Sequence, residues 1–542
     1  MFAENAGTSL HMVWESYPVV WLLLLMIALL AGAMFGLRRL AGGMAVSSSA
    51  PWVQRTTAAV GMLLLIACIY GKWSRYPLRW AEAFELKHSF NVQLALNPLL
   101  FFLETRAEMD GGFDIAKVRD THKVMADYFG IPVALDQDGL PTLRREGRPL
   151  GHIDGEPNIV FIQLESLASF KTGIGGNSLS PTPFLDNLCR NGLYFDRFNV
   201  VMENTSRSIF ATLFGIPDVS SVLNATRNPL LVDQHTVLNA LEGRDRSYWL
   251  GGSANWAQIR AMLKNNFKGI EIHEEGSFPG MPVVDVWGVC DADLLLAAHA
   301  AMAAKSSPFW IYVQTSGNHP PFTIPSHLLD FHVETRTDSE LTAAGFVSCE
   351  EYNAVRLMDY SLKRFFEAAE KAPYFQNTIF VLWADHGVPR GSRDPRFGDL
   401  SLDVHHIPFV IYSPGLVKTP QRIHTIGSQV DIMPTLMSLL GRPYVHQTLG
   451  KDLLDPAWKD KAAAFTFTTF RRPPRVGLIQ GDFYLNLEPD GRPALYRLDN
   501  ANPPDLAKVD PERTAHMKAL AEGFHNWAKF LLSHNKTIPA TP

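Results

Sequence analysis

The stretch Thr378-Ile379-Phe380-Val381-Leu382-Trp383-Ala384-Asp385-His386-Gly387 is a continuous apolar run that stops abruptly on a carboxylate and an imidazole. A run of β-branched and aromatic residues without polar alternation fits a strand covered on both faces, and the glycine behind it permits a sharp turn. Two other runs repeat the feature. Asn158-Ile159-Val160-Phe161-Ile162-Gln163-Leu164 ends on Glu165, and Phe309-Trp310-Ile311-Tyr312-Val313 runs out toward His319. From residue 156 onward, short β-rich runs alternate with helical stretches, the pattern of an α/β domain with a mostly parallel sheet flanked by helices. In such sheets ligands bind at the carboxyl ends of the strands, so polar groups placed there by separate strands converge on one site.

Adjacent Asp385 and His386 can both reach one divalent cation if the backbone kinks between them. With Glu165 they make an O, O, N ligand set, which suits Zn2+ or Mn2+ better than a thiolate-seeking ion. The plainer alternatives are ordinary polar turn residues at a strand end and, for Glu165, a carboxylate at a helix N-terminus. Three protein ligands would leave positions open for a nucleophile and a substrate oxygen. The segment Glu203-Asn204-Thr205-Ser206-Arg207-Ser208 offers hydroxyls for that role. It equally reads as Thr or Ser capping the helical run Ile209 to Phe214. The two readings are compatible, because a helix N-terminus also stabilises a phosphate or sulfate.

The whole chain has 542 residues, 46% hydrophobic and 19% charged, with a formal net charge of -5. That length holds one large core plus an accessory part. The balanced charge supplies no basic stripe for a nucleic acid partner. Cys68, Cys189, Cys290 and Cys349 form no CxxC pair, which argues against a disulfide scaffold, a zinc ribbon or an iron-sulfur site. Tyr17 to Leu37 carries no charge and is long enough to span a bilayer core of about 30 Å. A second uncharged run lies between Trp52 and Trp73, placed as interfacial anchors. Arg38, Arg39 and Arg55 mark the connection between the runs as the cytoplasmic side and both chain ends as outside. The expected organisation is a membrane anchor over 1–80 with two transmembrane helices (residues 17–37 and 55–71), then a juxtamembrane helical segment with a polar, Gly/Pro-rich linker over 81–155. A catalytic domain over 156–450 and a small C-terminal α+β subdomain over 451–542 follow.

Several of these segments occur in a familiar order. Asn158 to Glu165, Pro181-Thr182-Pro183-Phe184-Leu185-Asp186, Thr205 through Gly215-Ile216-Pro217, Ser316-Gly317-Asn318-His319, Ala384-Asp385-His386-Gly387 and Val430-Asp431-Ile432-Met433-Pro434-Thr435 resemble the sulfatase and alkaline-phosphatase superfamily. Within it the chain looks most like the membrane-anchored branch of lipoteichoic acid synthases and phosphoglycerol transferases. The resemblance implies a sulfatase-like fold, with Glu165, Thr205, Asp385 and His386 as metal ligands and Thr205 as the catalytic nucleophile that takes up the phosphoryl group. It implies substrate contacts at His319, His406 and Trp256, and one divalent metal ion, Mn2+ first, with Zn2+ and Mg2+ as alternatives. A formylglycine-dependent sulfatase is disfavoured, because Thr205-Ser206-Arg207-Ser208-Ile209 lacks the Cys or Ser context that maturation needs.

The expected function is transfer of a phosphoglycerol head group from a phosphatidylglycerol-like phospholipid donor to an envelope glycan or polymer acceptor, through a phospho-threonine intermediate. The alternatives are a phosphoethanolamine transferase, a sulfatase- or phosphodiesterase-like hydrolase, and a catalytically silent surface protein. The expected location is a bacterial inner (cytoplasmic) membrane, multi-pass in the lipid bilayer, with the catalytic domain facing the periplasm or outside. One departure from the resembled branch stands out. Where its members usually show an Asp after a Gly and a Trp-x-Arg stretch, this chain has Gly252-Ser253-Ala254-Asn255-Trp256-Ala257-Gln258-Ile259, without the acidic and basic contacts.

Overall fold

The computed structural model describes residues 51–72, 80–85, 112–147, 155–220, 224–388, 402–468, 474–499 and 503–536, plus isolated positions between 21 and 39 and at 95, 151 and 153. The chain divides into two units, Met1–Arg79 and Trp80–Pro542. In the first, helix α1 (Pro51–Tyr70) has no buried residue. Among the described residues it is the one helix long and apolar enough to cross a membrane. It starts four residues ahead of the expected second span, 55–71, because Pro51 suits a first helical position, where no N–H is needed. Leu63, Leu64, Ile66 and Ile69 are all exposed; a helix apolar all round needs an apolar surrounding. The expected first span, 17–37, lies outside the described residues apart from scattered positions; of these Trp21, Leu24 and Ile27 are helical and exposed.

The second unit begins, in regular structure, with a 3-10 turn, Trp80–Glu85, and helix α2 (Ile115–Phe129), capped by the Asp114 side chain and closed by Gly130 in the left-handed region. The elements of its sheet layer follow in chain order: β1 (Asn158–Leu164), α3 (Pro183–Asn191), β2 (Leu193–Phe195), α4 (Thr205–Phe214), β3 (Asp245–Leu250) and β4 (Glu271–His273). Then come α5 (Asp291–Ala303), β5 (Phe309–Gln314), α6 (Cys349–Ala369), β6 (Thr378–Ala384), β7 (Phe409–Tyr412) and β8 (Gln421–Ile423). The eight strands lie in the order β8-β2-β7-β6-β1-β5-β3-β4. All pair in parallel except β7, which is antiparallel to β6 and to β2. Every residue of β1, β5 and β6 is buried, as expected for central parallel strands covered on both faces. Phe161, Tyr312 and Trp383 meet across these strands, with ring centroids 6.0 and 5.5 Å apart in successive pairs, contacts worth about 0.5–1.5 kcal/mol each beyond their burial.

The register decides where the chemistry falls. Leu164 pairs with Ala384, and Gln314 with Gln163. Glu165, Asp385 and the Thr315 turn therefore emerge side by side at one edge of the sheet.

The stretch read as a linker forms regular structure. Ala134–Leu135 and Pro141–Thr142 make a small hairpin, and Arg145–Gly147 pairs antiparallel with Tyr444–His446. Arg145 Nη2 donates to the Thr448 carbonyl at 2.9 Å. C-terminally, β9 (Ala463–Thr468), β10 (Arg475–Gln480), β11 (Phe483–Leu487) and β12 (Pro493–Arg497) form an antiparallel sheet, followed by α7 (Pro511–His534). Helix α7 packs against α2. A Cβ at Gly523 would come within 2.7 Å of Met125 Sδ, so the absence of a side chain there sets the approach of the two helices.

Candidate active site

Glu165, Asp385 and His386 converge, with one ligand atom of each inside a common radius of 4.8 Å. Their placement is enforced by the backbone. Ser166, directly after Glu165, has φ 55, a left-handed conformation that costs a non-glycine residue about 1–3 kcal/mol and turns the chain sharply off β1. Asp385 Oδ1 holds this turn by accepting from the N–H of Ser166 and the N–H of His386, each at 2.7 Å. At Gly387 a Cβ would meet Val404 Cα at 2.8 Å, so only glycine fits where the chain leaves the site. The His386 ring is oriented by Nδ1, 2.8 Å from the Gly387 carbonyl oxygen. A proton on Nδ1 satisfies that contact and leaves Nε2 with a free lone pair turned into the cluster.

Asp385 is fully buried and its Oδ2 has no hydrogen-bond partner among the described residues. Glu165 is buried beside it; burial, and then the neighbouring Asp385 carboxylate, push its pKa well above the usual range. Asp385 Oδ2 lies 3.4 Å from His386 Nε2, and burying Glu165 beside the Asp385 carboxylate favours a compensating cation between them. The donor set of Glu165, Asp385, His386 Nε2 and the Thr205 hydroxyl thus fits one hard or borderline divalent metal ion.

Thr205 is the first residue of α4, and its Oγ1 lies 3.5 Å from His386 Nε2. Neither Thr nor Ser caps this helix. The cap is Asn204, whose side-chain oxygen accepts from Arg207 N and Ser206 Oγ, and this releases Thr205 from capping. Ser206 also accepts from Asn224 Nδ2 at 2.7 Å, and Ser208 Oγ accepts from Gln429 Nε2 at 2.6 Å. The neighbouring hydroxyls are engaged in holding the helix, which leaves Thr205 turned toward the Glu165–Asp385–His386 cluster. Gln429 is itself fully buried and donates to the Asp385 carbonyl at 2.7 Å, so one side chain couples the start of α4 to the end of β6.

Asn318 braces the other side, donating through Nδ2 to the carbonyls of Glu165 and Ser166 at 3.1 and 3.2 Å. His319 follows it, half-buried, with its pKa pushed down chiefly by burial. The His319 ring lies 4.1 Å from that of Trp287, which meets Trp256 edge-on at 6.5 Å. His319 and Trp256 therefore share one aromatic wall through Trp287, a residue the sequence reading did not single out. Ala257 and Gln258, immediately after Trp256, both have positive φ, and Gln258 Oε1 is buried without a partner among the described residues. The nearby Arg260 is engaged with Glu274. His406 is held at the flank of the sheet: its Nε2 contacts the Asp196 carbonyl oxygen at 2.9 Å and its backbone bridges to Asn199. The adjacent His405 is buried 3.0 Å from Glu203. Burial alone would lower the His405 pKa, but the Glu203 carboxylate outweighs it and raises it.

The Sulfatase family model matches residues 157–442, more than half of the chain. The chain belongs to the Sulfatase family. Among curated relatives, a lipoteichoic acid synthase-like protein of Bacillus subtilis is 26% identical over 303 residues, covering 52% of this chain and 47% of its own. The chain spans about half the length of the Bacillus subtilis relatives it matches, 47% and 49%. Among solved structures, an alkaline phosphatase superfamily protein from Vibrio parahaemolyticus is similar with a TM-score of 0.62 and 24% identity, over 77% of this chain and 98% of that one. The lipoteichoic acid synthase LtaP of Listeria monocytogenes is similar with a TM-score of 0.58 and 17% identity, over 77% and 99%. At these identities the structural likeness is one of fold. It agrees with the α/β architecture and mostly parallel sheet described above.

Proposed function

We propose that this Sulfatase-family chain is a membrane-anchored, metal-dependent phosphotransferase that moves a phosphoglycerol head group from a phosphatidylglycerol-like lipid to an envelope glycan or polymer. The observation that carries the reading is the position of Thr205. Its hydroxyl opens a buried helix, stands 3.5 Å from His386 Nε2, and is the one hydroxyl of its segment not engaged in holding α4. A helix N-terminus stabilises a phosphoryl group through its free N–H groups and its dipole. A divalent ion held by Glu165, Asp385, His386 and Thr205 would lower the hydroxyl pKa and stabilise charge on phosphate oxygens. Thr205 Oγ1 then forms the bond to phosphorus and the bond to the diacylglycerol oxygen breaks, the leaving oxygen taking up a proton. An acceptor hydroxyl attacks the phospho-threonine in turn and restores Thr205. Trp256, Trp287 and His319 form the wall against which the head group is oriented. The lipoteichoic acid synthase names of the relatives support the donor class, and α1 supports placement at a bilayer.

A second reading, phosphoethanolamine transfer, is favoured by one observation: neutral Gln258 stands where the resembled branch places an arginine, and Arg260 is engaged by Glu274. The purified chain in detergent with Mn2+, given phosphatidylglycerol or phosphatidylethanolamine, separates the two by the adduct mass on the Thr205 peptide. A phosphoglycerol adduct with release of diacylglycerol is expected. A phosphoethanolamine adduct selects the second reading, and the absence of any adduct or diacylglycerol from either lipid overturns both.

A further inference from the structure

Helix α5 begins beside a second convergent group of side chains. Cys290 precedes the first helical residue, Asp293 lies one turn on, and His327 arrives from the connection after β5. Cys290 Sγ is 3.2 Å from Asp293 Oδ2 and 4.0 Å from His327 Nε2, and the same Nε2 is 2.8 Å from Asp293 Oδ2. We propose that Cys290, Asp293 and His327 form a second metal site in this protein, of Zn2+ chemistry, distinct from the Glu165–Asp385–His386 cluster.

The geometry excludes the obvious competitor. In a nucleophile relay the sulfur and the carboxylate address opposite nitrogens of the imidazole. Here both face Nε2, so the three donor atoms point at one another and at a common centre. Metal–ligand lengths of about 2.3 Å to sulfur and 2.0–2.2 Å to nitrogen and oxygen set tetrahedral ligand edges of about 3.4–3.6 Å. The three edges present, 2.8 to 4.0 Å, bracket that range. Side-chain shifts well under an ångström would admit the ion.

Softness and burial agree with the geometry. A thiolate with an imidazole and one carboxylate selects a borderline ion such as Zn2+ over the hard ions suited to an all-oxygen site. Cys290 is buried with Ala292, Leu328 and Leu357 in a small apolar cluster of its own, apart from the main core. Burial, foremost, pushes its thiol up to about 12, so the thiolate forms there when a cation compensates it. The helix start favours the negative charge of both Cys290 and Asp293. The Asp293 and His327 side chains are 18% and 35% exposed, which leaves the outer side open for a water or a further ligand.

The position gives such an ion a structural consequence. Asp291, between Cys290 and Asp293, accepts from the N–H groups of Ser316 and Gly317 at 2.9 and 3.0 Å. Those residues lead into Asn318 and His319 of the candidate active site. His327 closes the same connection at its far end, so an ion bound here would fasten the segment 316–327 at both ends to the first turn of α5.

Co2+ titration of the purified, metal-stripped full chain tests the proposal independently of any substrate. The Glu165–Asp385–His386 set holds no sulfur, so thiolate-to-cobalt charge-transfer absorption reports the second site alone. The expected result is a charge-transfer band that saturates at no more than two Co2+ per chain in the wild type, is displaced by Zn2+, and persists in Asp385→Asn, where it saturates at one. The band should vanish in Cys290→Ser, and the affinity should fall at least tenfold in His327→Ala, whose exposed side chain makes loss of fold irrelevant. No band in the wild-type chain, or a band unchanged in Cys290→Ser or in His327→Ala, overturns the assignment.

Discussion

Replacing Gln429 by leucine isolates the coupling between the helix that starts at Thr205 and the strand that ends on Asp385. Gln429 donates through Nε2 to Ser208 Oγ at 2.6 Å and to the Asp385 carbonyl at 2.7 Å, with the Ala384 carbonyl at 3.4 Å. Leucine has a similar volume and no donor, so the variant strands two buried acceptors at about 1–3 kcal/mol each. Gln429 Oε1 has no partner among the described residues, and its removal offsets part of that cost; the net loss is roughly 2–4 kcal/mol. At about 2.1 cal/mol/K per residue, a unit the size of Trp80–Pro542 has an unfolding entropy of roughly 1 kcal/mol/K, so the midpoint should fall by about 2–4 °C. The effect on turnover should be larger. With α4 no longer tied to the end of β6, a displacement of Thr205 by about 1 Å would cost about 100-fold in rate. Bound metal should stay near the wild-type level, because Glu165, Asp385 and His386 are all retained. Thermal unfolding, metal analysis and diacylglycerol release from phosphatidylglycerol measure the three quantities. Adding Ser208→Ala should cost less than the sum of the two single changes, since the hydroxyl has already lost its donor. Wild-type turnover and an unchanged midpoint in Gln429→Leu would refute the reasoning.

Glu165→Gln, Asp385→Asn and His386→Ala are each expected to lose catalytic-site metal and turnover together, and full occupancy in all three would show that the trio is structural. Thr205→Ala should keep the fold but lose turnover; near-normal activity would move the nucleophile to another group. His525 should contribute to the loss of stability in acid, because its pKa is held down to about 4 by burial, with Lys529 and Lys117 adding to it. Between its unfolded value of 6.5 and about 4 the unfolded chain binds a proton that the folded chain refuses, so stability falls as pH drops through that window. The full shift is worth roughly 3 kcal/mol, reduced to about 2 because His525 borders a cavity and is partly solvated. His525→Phe should therefore flatten the acid limb, and a variant-to-wild-type difference that stays constant from pH 7 to 4.5 would count against it. Alkaline phosphatase fused after residue 150 should be active outside the cell, whereas a cytoplasmic fluorescent reporter at the same place should fluoresce only if the topology read from Arg38, Arg39 and Arg55 is reversed.

The central strands were legible because their physics is local. β1 and β6 have the bounds read from the sequence, and β5 runs one residue further, to Gln314: strands covered on both faces need a nearly solid apolar run, and within β1 only the buried Gln163 interrupts it. The same logic exposed Glu165, Asp385 and His386, since a charged residue ending such a run stands out. The edge strands β4 and β8, and β2 next to β8, have three residues each and owe their existence to distant partners. Arg145–Gly147 is the extreme case. Its partner Tyr444–His446 lies some 300 residues away, and its own sequence, rich in Arg and Gly, reads as linker. Trp287 and Gln429 were missed for the same reason: each reaches the site by tertiary packing from a segment with no periodic signal of its own. Asn318 and Gln429 did lie in or beside segments quoted for the family resemblance, which was the available hint.

The distribution of backbone strain bears on which of these residues serve chemistry. Five described non-glycine residues have positive φ, and three of them, Ser166, Ala257 and Gln258, adjoin Glu165 or Trp256. At about 1–3 kcal/mol each, a fold under stability pressure alone would place glycine there, as it does at Gly130 and Gly215 where helices end. Ser166 keeps a side chain because its hydroxyl donates to Glu165 Oε1 at 2.7 Å while its N–H donates to Asp385, so one strained residue orients both carboxylates. Ala257 and Gln258 have no such internal use among the described residues. Their conformation instead sets where the Gln258 side chain points relative to Trp256, and the buried Oε1 is an acceptor still to be matched.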